Sequence, residues 1–202
     1  MIVYDVETIR PIINKNMKTD PKYQYATGWD DYNGMGISVA CFYDYDLGDI
    51  ITLTKEDFDN PDQRQALQTL IDKAGVISGF NIKKFDNNLL LAHGISVPAY
   101  KCYDLLENIW FAAGLNPLNY DKRTHGGYSL EKVLAVNFSD VQKTMNGVHA
   151  PFMWQDGKHQ EVIEYCKNDV MVEKALLDLV FTQGGIIDPK TKKFIKMAIP
   201  RG

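Results

Sequence analysis

The stretch VISGFNIKKFDNNLLL, residues 76–91, lies where a buried strand is predicted to pass into a helix. Its apolar run ends at Gly79-Phe80, and the leucines that follow Asp86 indicate a helix over residues 85–93. Asn81 and Asp86 stand at this junction, where either side chain could simply cap the helix. Alternatively, the two residues form one wall of a functional site, and the rest of the chain decides between these interpretations.

Strands and helices alternate on both sides of this junction. Strands are predicted over residues 1–8, 35–43, 50–54, 76–80 and 99–103. Helices are predicted over residues 61–74, 85–93, 104–113 and 158–181, with one more that begins near Ser129. This order predicts an α/β fold around a mixed sheet. The connection over residues 9–34 is long enough to suggest a functional role.

The composition limits the possible classes of protein. A chain of 202 residues that is 45% hydrophobic can bury the core of one domain. Its net charge of -4 argues against a passive nucleic-acid coat, which would be basic, but not against an enzyme that gathers carboxylates around cations. Three cysteines without a C-x-x-C pair, and no signal or membrane segment, predict a soluble cytoplasmic protein. Within its helix, Cys166 is expected to be a small buried residue.

Two further pairs of residues carry chemical groups at meaningful spacings. Asp5 and Glu7 are two residues apart on a predicted strand and therefore point to the same face, where a divalent cation would compensate their charges. Tyr165 and Asp169 are four residues apart on a predicted helix and share one side of it. Each pair alone also fits an ordinary structural role, so the order of all three motifs carries the argument.

The three motifs occur in the order D-x-E-T at residues 5–8, G-F-N-x-x-x-F-D at 79–86 and Y-C-x-x-D at 165–169. With these motifs in this order, the chain resembles the DEDD-type (DnaQ-like) 3′–5′ exonucleases of the ribonuclease H-like superfamily. The tyrosine in the third motif is similar to the DEDDy branch, and Glu164 stands where the other branch has histidine. The second motif resembles those of family B DNA polymerase exonuclease domains. The resemblance implies a ribonuclease H-like mixed β-sheet with helices on both faces, an exonuclease domain over residues 1–183 and a basic extension over 184–202.

The same resemblance implies roles for individual residues. Asp5, Glu7 and Asp169 would hold one Mg²⁺ or Mn²⁺ ion, and Asp5 and Asp86 a second. Such paired ions stabilise both the entering and the leaving oxygen of a phosphodiester. The expected catalytic residues are Asp5, Glu7, Asp86, Tyr165 and Asp169, and the expected substrate-binding residues are Thr8, Asn81 and Phe85.

Several other residues have two interpretations each. Asp104 could bind or support the metals, as in many relatives, or cap the helix that follows it. Lys83 and Lys84 could contact phosphates or be merely solvated, and Phe85 could instead be core. The basic residues at the C-terminus could contact nucleic acid or lie on a loose tail; they are Lys190, Lys192, Lys193, Lys196 and Arg201. The aromatic residues at 23–32 could stack on unpaired bases or cover the sheet.

Three functions are compatible with these motifs. The first is a stand-alone exonuclease that hydrolyses DNA, preferably single-stranded, from its 3′ end and releases nucleoside 5′-monophosphates. The second is an exoribonuclease, since the same four carboxylates serve both polymers and only contacts to the 2′-hydroxyl would distinguish them. The third is a non-catalytic module that binds nucleic-acid ends, which the intact set of carboxylates disfavours. The expected partner is nucleic acid, DNA rather than RNA, with no membrane and no identifiable protein partner.

Overall fold

The computed structural model describes residues 1–13, 18–139 and 147–200. The strands in these residues are β1 (Ile2–Thr8), β2 (Ile37–Asp44), β3 (Asp49–Thr54), β4 (Ile77–Gly79), β5 (Cys102–Asp104), β6 (Gly185–Ile187) and β7 (Phe194–Lys196). The helices are α1 (Tyr32–Met35), α2 (Lys55–Asp59), α3 (Pro61–Lys73), α4 (Asp86–Ala92), α5 (Leu105–Ala112), α6 (Lys122–His125), α7 (Leu130–Asn137), α8 (Ala150–Gln155) and α9 (His159–Gln183). Short 3-10 turns cover Ala99–Lys101 and Gly147–His149.

The central sheet has five strands in the order β3-β2-β1-β4-β5. β2 runs antiparallel to β1 and to β3, whereas β4 is parallel to β1 and β5 is parallel to β4. β1 therefore lies at the centre, with one antiparallel and one parallel neighbour. This arrangement confirms the predicted class, an α/β fold with a ribonuclease H-like mixed sheet.

Helices cover both faces of the sheet, as predicted. On one face, Tyr4 and Val6 of β1 share a buried cluster with Ile71 of α3 and Leu90 of α4. On the other, Cys41 of β2 packs in a cluster with residues of α8 and α9. Because successive residues of a strand face opposite sides, Asp5 and Glu7 point away from the Tyr4 cluster and toward the α9 side.

Local backbone geometry explains two differences from the predicted element bounds. β2 begins at Ile37 rather than at residue 35, because Gly36 has a φ of 63° and turns the chain between α1 and the strand. β5 begins at Cys102 rather than at residue 99, because the preceding residues form a 3-10 turn in which the Lys101 amide donates to the Pro98 carbonyl at 3.0 Å.

The chain beyond α9 forms the hairpin β6–β7. Ile186 and Met197 of this segment are buried in the same cluster as Leu176 of α9 and Trp110 of α5. The division at residue 183 remains a prediction, and Arg201 lies outside the described residues. Across the described ranges, no helix combines the length and apolar character that a membrane span requires.

Candidate metal centre and substrate cleft

The centre of the site is formed by β1 and α9. Asp5 and Glu7 lie on one face of β1, and α9 crosses that face closely enough for the Cys166 thiol to contact the Asp5 carbonyl at 3.4 Å. This crossing brings Asp169 to the two carboxylates, and one oxygen of each of the three residues lies within 4.8 Å of the others. Glu7 and Asp169 are buried, and Asp5 is half-buried.

A β-bulge lies where β1 meets this centre. The pairing of β1 with β2 shifts between Glu7 and Thr8, so that Ser38 is an extra residue on β2. The buried Ser38 hydroxyl donates to the Thr8 carbonyl at 3.1 Å, which supplies a hydrogen bond in the interrupted ladder. Bulges of this kind redirect side chains beside active sites. Here Glu7 and Thr8, consecutive in the sequence, line the same cleft.

The loop between β4 and α4 is held by Asp104. Asn81 has a φ of 68°, and its backbone amide donates to the Asp104 carboxylate at 3.1 Å. The amides of Lys83 and Glu107 donate to the same carboxylate at 3.0 and 3.2 Å. Asp104 thus caps α5 and fixes the Asn81 loop, while it lies outside the residues that line the cleft. Its capping interpretation is confirmed, with a second role in positioning Asn81.

Asp86 begins α4 and lines the cleft. Its carboxylate is buried, and the pKa of that carboxyl lies well above its ordinary range because of burial and the nearby negative charge of Asp5. Asp86 lines the same cleft as Asp5 but is not part of the three-carboxylate cluster. The N-cap position of α4 belongs to Phe85, which makes no side-chain capping bond. Neither Asn81 nor Asp86 therefore occupies the N-cap of this helix.

Tyr165 lies one helical turn before Asp169. Burial raises the pKa of the Tyr165 phenol well above its ordinary value, and the negative charges of Glu7 and Asp169 add to that shift. The surrounding protein groups therefore favour the protonated phenol, which can donate a hydrogen bond. Gly147 approaches it closely, since a Cβ at that position would lie 3.2 Å from the phenol oxygen and 4.0 Å from Glu7 Oε1.

All eight predicted site residues line one cleft of about 530 Å³. They come from β1, from the β4–α4 junction and from α9; they are Asp5, Glu7, Thr8, Asn81, Phe85, Asp86, Tyr165 and Asp169. The sequence interpretation missed the wall that follows residue 146, which consists of Gly147, Val148, Pro151 and Phe152. No motif in the sequence marks these residues.

The aromatic residues of the long connection lie in different surroundings, and two of them pack on α8 rather than on the sheet. Tyr23 and Tyr25 pack edge-on against Phe152, with ring centroids 4.9 and 6.2 Å apart. Trp29 is 69% exposed and lines the cleft, where it could meet a base. Residues 14–17 of the connection and 140–146 of the later one lie outside the described residues.

Two further predicted residues also have resolved contacts. Phe85 lines the cleft and at the same time packs against the core, with the Tyr32 ring 6.2 Å away. The core interpretation of Phe85 is therefore confirmed, while its contact with substrate stays a prediction. Lys83 forms an ion pair with Glu107 at 2.7 Å, which favours a structural role for this lysine.

The donor groups fit a hard divalent cation. Three carboxylates close together and largely buried repel one another, and a bound cation compensates that repulsion. Carboxylate oxygens are the ligands that Mg²⁺ and Mn²⁺ prefer. Among the described residues that line the cleft there is no histidine or cysteine, the usual ligands of zinc. Asp5, Glu7 and Asp169 therefore form a candidate metal site.

Comparison with known proteins supports the fold. The structure of the family B DNA polymerase from the hyperthermophilic archaeon Pyrobaculum calidifontis matches with a TM-score of 0.54 and 16% sequence identity. The match covers 89% of this chain and 24% of the polymerase, so the chain spans about a quarter of the protein it matches. No family model matches the sequence, and no curated protein matches it. The chain therefore has the ribonuclease H-like fold found within this polymerase, together with a candidate acidic metal site.

Proposed function

We propose that the chain is a metal-dependent 3′–5′ exonuclease of the DEDDy type. It hydrolyses DNA, preferably single-stranded, from the 3′ end and releases nucleoside 5′-monophosphates. The observation that carries this proposal is the convergence of eight residues from three distant segments on one cleft. A fold alone would not support an activity, because similar folds host unrelated ones. Four carboxylates and a tyrosine in one cleft are a far more specific arrangement.

The proposal assigns the metal ligands as follows. Asp5, Glu7 and Asp169, whose oxygens are mutually close, would hold one ion, and Asp5 and Asp86 would hold the other. When bound, two such ions supply electrostatic stabilisation to the entering and leaving oxygens of the phosphodiester. The raised pKa of Asp86 supports its assignment, because a buried carboxyl beside Asp5 is poorly compensated by the protein alone.

The remaining residues would orient the reactants. Tyr165, whose pKa is raised by burial and by the nearby carboxylates, would donate a hydrogen bond that positions the attacking water or the scissile phosphate. Asn81, fixed by Asp104, and Thr8, beside the bulge, would contact the terminal sugar. The Phe85 ring, braced by Tyr32, would pack against the terminal base. Precise positioning of this kind contributes strongly to hydrolysis rates.

The choice of DNA rests on two similarities. The second motif resembles polymerase exonuclease domains, and the matched solved structure is a family B DNA polymerase. We assign the activity to residues 1–183 and treat residues 184–202 as an extension of the same domain. Its hairpin packs on the cluster that contains Trp110.

The proposal is tested with 5′-labelled single-stranded DNA and RNA of matched sequence, incubated with Mg²⁺, Mn²⁺ or EDTA. Wild-type protein is expected to produce a ladder that shortens from the 3′ end, faster on DNA, and to stop in EDTA. Asp169→Asn is expected to lose at least 100-fold in rate, whereas Asp72→Asn, an exposed aspartate of α3, should retain full activity. Intact DNA and RNA with both metals would contradict the proposal.

A further inference from the structure

The apolar part of the metal cleft is built from two segments that are distant in the sequence. The connection between β1 and α1 supplies Pro11, Ile12 and Trp29, and α8 supplies Pro151 and Phe152. We call these five residues the apolar wall. None of them carries a carboxylate, so the wall takes no part in holding metal ions. Its shape depends on how firmly the two segments are joined.

One side chain joins the two segments directly. Gln155, the last residue of α8, is half-buried. Its Oε1 accepts the backbone N–H of Gln24 at 2.8 Å. Its Nε2 donates to the carbonyls of Ile9 and Gln24, both at 3.0 Å. An amide side chain has one oxygen and two N–H groups, so all three polar groups of Gln155 bind the connection.

The other polar contacts between these segments are weaker candidates for this role. The carboxylate of Asp156 accepts the Tyr23 hydroxyl at 3.1 Å and pairs with the Lys22 ammonium at 2.5 Å. The Lys22 side chain is 61% exposed, and ion pairs as open to solvent as this contribute little. The half-buried amide with three hydrogen bonds is therefore the main polar link between α8 and the connection.

The two backbone positions that this amide contacts are tied to the apolar wall. Ile9 stands two residues before Pro11 in the chain. Gln24 stands two residues before Ala26, which is buried and whose backbone amide donates to the Pro11 carbonyl at 3.0 Å. A displacement of α8 relative to either position would therefore change the spacing between the two halves of the wall.

We propose that Gln155 is a positioning residue that fixes the apolar wall where it packs against the 3′-terminal nucleotide. The proposal rests on the exonuclease function, which places that nucleotide in the metal cleft. Gln155 is not among the described residues that line the cleft, so it acts through Phe152 and Pro11. A wall that is ordered before the strand arrives reduces the entropy lost on binding.

This role predicts a specific pattern in the kinetics. The wall packs against the nucleotide equally before and during hydrolysis, and the loss of such uniform binding raises KM without lowering kcat. Gln155→Ala should raise KM for single-stranded DNA about 5-fold, which corresponds to one hydrogen bond of about 1 kcal/mol. The matched control is Gln160→Ala, because the exposed Gln160 side chain bonds only to Glu164 among the described contacts. The control should change neither constant, and a fall in kcat at constant KM for Gln155→Ala would overturn the proposal.

A variant of the same shape separates hydrogen bonding from packing. Gln155→Glu keeps an oxygen that can accept the Gln24 N–H, but it replaces both donated bonds with an oxygen that faces two carbonyls. It should raise KM at least as much as Gln155→Ala does. A KM equal to that of the wild type would overturn the proposal.

Hydrogen exchange tests the link without reference to activity. Because the Gln24 amide donates to Gln155, Gln155→Ala should speed exchange severalfold in a peptide that covers residues 18–31. A peptide that covers residues 77–92 should exchange as in the wild type. Equal acceleration in both peptides would indicate a general loss of stability and would overturn the positioning role.

The positioning proposal and the exonuclease proposal fail in different ways. If wild-type protein shortens DNA and Gln155→Ala has the wild-type KM, the positioning proposal is wrong and the exonuclease proposal stands. If wild-type protein never shortens DNA with either metal, the exonuclease proposal is wrong. The wall is then tested by fluorescence anisotropy in EDTA with a 5′-labelled strand of about eight thymidines, a length within the site sizes of single-strand binders. Binding about 5-fold weaker in Gln155→Ala would support the wall contact, and unchanged binding would overturn it.

Discussion

Replacement of Asp104 by asparagine should destabilise the protein and weaken substrate binding without removing the metal site. The Asp104 carboxylate is completely buried and accepts three backbone N–H groups, from Asn81, Lys83 and Glu107. Oδ1 accepts two of them and Oδ2 accepts the third. An asparagine side chain of the same shape has one acceptor oxygen, so its NH₂ group must face at least one amide that it cannot satisfy.

The size of the effect follows from this count. One buried N–H without an acceptor costs about 1–3 kcal/mol, so the free energy of unfolding should fall by about 2 kcal/mol. Burial raises the pKa of Asp104, which shows that its charge is only partly compensated and limits the loss when that charge is removed. Because the Asn81 amide is among the three donors, the KM for DNA should rise severalfold while kcat changes little.

Urea denaturation in EDTA measures the stability change, and exonuclease kinetics measure KM. The matched control is Asp121→Asn, since Asp121 also caps a helix through the Arg123 amide but has a side chain that is 42% exposed. This control should lose less than about 1 kcal/mol. Unchanged stability in Asp104→Asn would refute the reasoning. So would a loss of Mn²⁺ binding equal to that of Asp169→Asn, because Asp104 would then be a ligand.

Three other substitutions test separate parts of the structure. Asp86→Asn should stabilise the protein in EDTA at pH 7, because burial and the nearby charge of Asp5 raise the pKa of the Asp86 carboxyl and so disfavour its charged form. Because the pKa of the Asp86 carboxyl is raised in the folded state, this group stabilises the protein below its unfolded pKa of about 3.9, and that stabilisation is lost as pH rises through the folded pKa. Thermal melts of the variant should therefore show a weaker dependence of stability on pH. A variant less stable than the wild type at pH 7 would contradict this prediction. Tyr165→Phe should lower kcat about 10- to 100-fold with little change in KM, because it removes a hydrogen-bond donor beside the reacting groups; an unchanged kcat would contradict that role. Gly79→Ala should cost about 2 kcal/mol in urea denaturation, because the new Cβ would lie 2.6 Å from the backbone oxygen of Tyr4; an unchanged midpoint would contradict that contact.

The elements with strong periodicity were predictable from the sequence. β1 and α9 lie within two residues of their predicted bounds, because β1 is rich in β-branched and aromatic residues and α9 repeats apolar residues over many turns. The order of the three motifs also predicted which side chains meet. The structure brings all of them into one cleft, while their catalytic roles remain predictions.

Features that depend on tertiary contacts were not predictable in this way. The hairpin β6–β7 has strands of three residues each, too short for alternation to be recognised, and its lysines indicate a tail. Gly147 enters the site because the fold brings it against Tyr165, and an isolated glycine in a loop carries no such signal. Glu173 continues the spacing of Tyr165 and Asp169 by one more turn, so its position on the same side of α9 could have been anticipated.

The central claim is that the carboxylate cleft removes nucleotides from the 3′ end of DNA. The most direct measurement uses single-stranded DNA with one radiolabelled phosphate in the linkage before the 3′-terminal nucleotide, with Mg²⁺ and chromatography of the products. The account predicts that the label leaves first as a nucleoside 5′-monophosphate. Glu7→Gln should abolish this release, whereas Glu164→Gln, a substitution on the exposed side of α9, should not. Label that stays in oligonucleotide fragments, or leaves as inorganic phosphate, would contradict it.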